Sequence, residues 1–176
     1  IKTKELPVVG PTQYKAMPGL TRLGKRGVAL MGRRDIPPII DKRWAKKGHE
    51  LPWILAHEIG HQIIYDLMRE ASKHRPELFA RGDAETNVAR WMIQEGVDHH
   101  QITFRDPGLA VYADRFVGDI RSGKAVDQRM EGEFVAEVVA YYINTYDQPS
   151  KYRLPRSVED AIKAALEAPP YERSTR

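Results

Sequence analysis

His57-Glu58-Ile59-Gly60-His61 is the stretch around which the rest of this chain is best read. Two histidines four apart project from one face of an α-helix, about 40° apart around its axis. That spacing lets two neutral imidazoles reach one metal ion and leaves Glu58 on the adjacent edge of the same face. The flanks favour the helix this requires. Pro52 suits a first helical position, and Trp53, Ile54, Leu55, Ile59, Ile63, Ile64 and Leu67 predict a largely buried element from Pro52 to about Lys73, ending ahead of Pro76.

The 176 residues predict one domain spanning 1–176, and 41% apolar with 30% charged content is ordinary for a globular chain. No apolar run approaches membrane-spanning length, and no signal-peptide pattern opens the chain. It begins at Ile1, which reads as a processed product or a piece of something longer. With no cysteine there is no disulfide, no thiolate nucleophile and no zinc site with a Cys ligand. The net charge is +4. Its basic residues are scattered apart from Lys42, Arg43, Lys46 and Lys47, so a solvated surface is expected rather than a nucleic-acid partner. No motif sets an oligomeric state.

Residues 1–27, rich in Pro, Gly and Lys, read as an extended arm with room for a short strand. Gly27-Val28-Ala29-Leu30-Met31-Gly32 is the best strand candidate. A second helix is predicted after the cap Asp83, ending near Gly96, with Val88, Trp91, Met92 and Glu95 on one face. Asp98-His99-His100 falls in the next loop. A third helix opens at Asp106-Pro107 and closes before Gly123; a fourth spans about Arg129 to Tyr146, ahead of Pro149. The last starts at Ser157, with Asp160 completing an approximate capping box, and ends at Pro169-Pro170; residues 171–176 read as a frayed tail. The expected class is α+β, mainly helical, with little strand.

A catalytic zinc takes three protein ligands and keeps one position open. The strongest partner for the two histidines is Glu133-Phe134-Val135-Ala136-Glu137, whose carboxylates share one face of an otherwise apolar helix. Buried unpaired carboxylates are costly, and a cation with its histidines would satisfy them. Glu95 and His74 stand as alternative third ligands.

His57 to His61 resembles the H-E-x-x-H motif of zinc metallopeptidases, whose Glu serves as general base. Together with Glu133-Phe134-Val135-Ala136-Glu137, it is similar to the catalytic domain of anthrax-lethal-factor-type gluzincins. That resemblance implies a zincin-like fold with a short edge strand or small sheet over the metal helix. It also implies Zn2+ held by His57, His61 and Glu133, with Glu137 supporting a histidine. The run 27–32 would be the edge strand that pairs with an extended substrate. Leu55 to His61 with Glu133 to Ala136 also resembles the ImmA/IrrE-type regulatory peptidases. His74 to Phe79 is similar to the third-histidine segment of SprT-like peptidases, which would make His74 the ligand.

The expected function is therefore zinc-dependent cleavage of peptide bonds in a protein or peptide substrate, with Glu58 as general base. The resemblance favours an exported effector or toxin over a cytosolic regulatory protease. Tyr141, Tyr142 and Tyr146 on the ligand helix are candidate oxyanion donors, as are Tyr112, His99 and His100. A basic binding module with a structural or lost metal is the rival class. A di-iron protein is excluded, since Glu58 to His61 is the chain's single Glu-x-x-His.

Overall fold

A computed structural model describes residues 19–21, 28–30, 50–102, 114, 117–122, 128–148 and 151–168; the two strands and the helix ends 50–51 and 128–130 are described by backbone alone. Among these residues the architecture is mainly helical: α1 (Glu50–Gln62), α2 (Ile64–Ser72), a 3₁₀ turn (Pro76–Phe79), α3 (Ala84–Gln94), α4 (Gln128–Thr145) and α5 (Arg156–Glu167). Strands β1 (Gly19–Thr21) and β2 (Val28–Leu30) pair antiparallel, Leu20 opposite Ala29. No helix among the described residues is long and apolar enough to cross a membrane.

The core lies between α2, α3, α4 and α5. On α2 the buried Ile64, Leu67 and Ala71 form a stripe at helical spacing, and on α5 Val158, Ala161, Ile162 and Ala165 do the same. The middle of α4 differs. From Phe134 to Tyr141 every residue is buried, because α1, α3 and α5 all pack against it. Such a helix is apolar all round, and the acids it carries need partners. Glu131, fully buried, takes a short hydrogen bond from the Thr86 hydroxyl. Burial raises its pKa even so, the Thr86 contact offsetting only part of the effect.

Local sequence signals account for the ends of α3. The Asp83 carboxylate accepts from the Thr86 N–H at 2.8 Å and caps the helix as expected. At the other end Gly96, at φ +96°, donates to the Ile93 carbonyl at 3.1 Å, while Val97 donates to Met92 at 3.0 Å. This is a Schellman motif, closed by the buried Met92 and Val97.

Three expectations need correction. The single helix from Pro52 to Lys73 is two, interrupted at Ile63 (φ −94°, ψ 6°). Ile63 still bonds Ile59 and Leu67 still bonds Ile63, so the ladder continues through the break. The break lets α1 serve α4 while α2 packs on α3 and α5. Leu55, expected inside, is 41% exposed. Ser157 is no cap: Pro155 precedes α5, and the Ser157 hydroxyl donates to Glu95 at 2.6 Å.

The opening of the third helix at Asp106-Pro107 lies outside the described residues; 117–121 are helical and Ser122 is in a turn, consistent with an end before Gly123. Outside them too lie the tail and the arm, save the strand Gly19–Thr21.

Replacing Asp83 with Ala should cost about 1 kcal/mol in urea unfolding. Burial raises the Asp83 carboxyl, but the Thr86 donors outweigh it and hold its pKa below the usual 3.8. A depressed folded-state pKa gives stability that is present above 3.8 and lost as pH falls through the lower value. The difference between wild type and variant should therefore shrink in acid.

Candidate metal centre

The closest approach of α1 and α4 is set at Gly60. A Cβ built there would lie 2.6 Å from the Ala136 Cα and 3.1 Å from its carbonyl oxygen. Glycine in a helix interior costs about 1 kcal/mol relative to alanine. Here the missing side chain lets one backbone rest on the other. His57, about one turn before that contact point, and His61, the residue after it, then meet the acids of α4.

His57 is gripped through both ring nitrogens. Its Nδ1 lies 2.9 Å from Oε1 of Glu137, and its Nε2 lies 3.1 Å from Oε2 of Glu133. The Trp53 indole N–H donates to the other Glu137 oxygen at 3.2 Å and completes the setting of that buried carboxylate. Nε2 of His61 is 3.2 Å from Nε2 of His57 and 3.6 Å from Oε1 of Glu133. The two rings are nearly perpendicular, 78° apart.

These separations test whether a metal would fit. Ligands about 2.0–2.1 Å from a tetrahedral ion stand roughly 3.3 Å from one another. The contacts of 3.1 and 3.2 Å from His57 Nε2 match that spacing, while His61 lies 3.6 Å from the other Glu133 oxygen. His57, His61 and Glu133 are thus a set that could hold a metal ion, with one oxygen and two imidazole nitrogens. Glu58, the residue after His57, is itself buried, 6% exposed.

The electrostatics suit a cation. Burial lowers the pKa of His57, but the carboxylates of Glu133 and Glu137 overcome this and push it up to about 10. Burial and the charge on His57 push His61 down. Burial raises Glu133, yet contact with His57 holds it below the usual carboxylate range. More negative charge lies close by: the Glu85 carboxyl packs against Gly132, next to Glu133. Burial raises Glu85, and the charges of Asp83 and Glu133 add to the effect.

Other expected participants sit elsewhere. The Tyr141 hydroxyl donates to the Tyr152 carbonyl at 3.0 Å, about 12 Å along α4 from Glu133. Tyr142 lies a residue further and pairs with Tyr146, which is 56% exposed. Glu95 caps the end of α3 and binds Ser157. His74 is exposed in the turn after α2. Tyr112 lies outside the described residues.

Sequence reasoning missed three contributors: the Trp53 donor, the packing role of Gly60, and Glu85. Gly60 left a trace, as a glycine inside a helical pattern; Glu85 left none. Comparison with protein-family models, curated proteins and solved structures found no match.

Gly60→Ala should force the two helices apart. We expect a loss of about 1–3 kcal/mol in chemical denaturation, the usual range for overpacking, despite the better helix propensity of alanine. Equal or greater stability would show that the contact at Ala136 yields easily.

Proposed function

We propose that this chain is a zinc-dependent endopeptidase acting on a protein or peptide substrate. The observation that carries the reading is the convergence of His57, His61 and Glu133, whose ligand atoms lie within 4.8 Å of one another, with Glu58, which is buried and not itself in the set, next to His57 in the sequence. In this reading the three side chains hold Zn2+ and leave one position open. When bound, zinc supplies Lewis acidity that polarises a carbonyl and makes water nucleophilic near neutral pH.

The remaining work falls to the chain. Glu137 accepts the Nδ1–H of His57, which fixes the tautomer and presents the Nε2 lone pair to the ion. Glu58 takes a proton from the attacking water and delivers it to the leaving amine, so the protons balance over the turnover. In a zincin-like arrangement β2, whose Val28–Leu30 falls within the apolar run 27–32, is the strand we assign to hold an extended substrate. A histidine clamped by two acids also supports the motif resemblance to gluzincins. The rival, a binding module with a structural metal, would close all four positions with protein groups.

Bound zinc and cleavage of a random peptide library test the reading. Glu58→Ala should keep one zinc at this site and lose roughly 10²–10⁴-fold in rate, the usual contribution of a general base. Glu133→Ala should lose the zinc itself. Wild type that binds zinc but leaves the library intact would favour the binding module.

Zinc uptake should also be coupled to protons. Since the carboxylates hold a proton on His57 up to about 10, the ion has to displace it at neutral pH. Affinity should rise about tenfold per pH unit through the neutral range. Calorimetry in buffers of different ionisation heat should give about one proton released per ion.

A further inference from the structure

We propose a second metal site, separate from the one between α1 and α4, formed by His99, His100 and Asp114 and taking a transition cation of the zinc class. The mechanism proposed above gives these residues no step; the sequence offered His99 and His100 only as candidate oxyanion donors. Nε2 of His99 lies 2.7 Å from Oδ1 of Asp114, and Nε2 of His100 lies 3.4 Å from the same oxygen. The two rings lie close together, centroids 4.0 Å apart and planes tilted by 37°. One ligand atom from each residue falls within 4.8 Å of the others.

The groups stand on a firm base. Val97 and Ile102, both buried, bracket the turn that carries the histidines. Asp98 ties that turn together: its carboxylate accepts from the His100 N–H at 3.0 Å, and its carbonyl accepts from the Gln101 N–H at 3.0 Å. Its own N–H donates to the Tyr152 hydroxyl at 3.0 Å. Three residues beyond Asp114, the buried Val117 anchors the helical residues 117–121.

A simple ion pair accounts for one histidine only. His99, with 10% of its side chain exposed, could pair with Asp114 alone. His100, 68% exposed and free to face water, nevertheless turns to the same carboxylate oxygen. Two imidazoles and one carboxylate suit zinc, nickel or copper rather than magnesium or calcium, and the exposed side leaves room for water as a further ligand. The ion would take the place of the direct contact between His99 and Asp114. It would also clasp the turn at 98–102 to Asp114, adding stability by mass action.

Zinc titration by equilibrium dialysis tests the site. The intact protein should bind two equivalents, and the surface variants Asp114→Asn and His100→Gln one each. In a His57→Ala/His61→Ala background, one equivalent should remain and raise Tm, and both effects should vanish when Asp114→Asn is added. Stoichiometry untouched by Asp114→Asn and His100→Gln overturns the proposal, whether or not the double-alanine background folds. A failed first site would leave one equivalent that depends on Asp114, so the two readings fail separately.

Discussion

Everything at the candidate centre depends on how closely α1 approaches α4 at Gly60 and Ala136. The absence of a Cβ at Gly60 brings two backbones into contact where even an alanine would collide with the opposing Cα. At that separation Glu133 and Glu137, one turn apart on α4, reach both nitrogens of a single imidazole on α1. A separation greater by the width of one methyl group would break the grip on His57 before it disturbed the apolar core, because hydrogen bonds weaken steeply with distance and angle. The geometry of a polar site is thus set by an apolar contact.

The acids of α4 show how a buried helix accommodates charge. Glu131, Glu133 and Glu137 occupy a segment packed on several sides, and each is handled differently. Glu137 is enclosed and fully engaged by Trp53 and His57. Glu131 bonds Thr86 beside the capped start of α3, and its burial favours the neutral form. Glu133, the most exposed of the three, faces both histidines. Burial lowers the pKa of His57, but the Glu133 and Glu137 carboxylates push it up to about 10, so its imidazolium offsets their charge.

Stability and chemistry are divided between different parts of the fold. The stripes of α2, α3 and α5 close the apolar core, while α1 contributes its histidines and little to that cluster. The break at Ile63 separates the two roles, freeing α2 to follow the core while α1 stays with α4. The cluster at His99, His100 and Asp114 sits on the core's far support, held by the same tyrosine, Tyr152, that receives the Tyr141 hydroxyl on its carbonyl.

Short-range signals in the sequence were enough for the helices and for most of the centre. The spacing of His57 and His61, the E-x-x-x-E pattern of α4, the Asp83 cap and the Gly96 terminus all act within one or two helical turns, where backbone geometry leaves few alternatives. That Glu133 and Glu137 share one face of α4 was legible in their spacing, and the structure brings both carboxylates to His57. What the sequence could not carry was any relation between distant segments. Tyr141, Tyr142 and Tyr146 share the ligand helix yet lie two turns or more beyond the centre, and Glu95 is drawn to Ser157. The meeting of Asp114 with two histidines some fifteen residues earlier has no local trace. Those outcomes depend on which helix faces pack together, and packing is decided by the whole core at once rather than by any one segment.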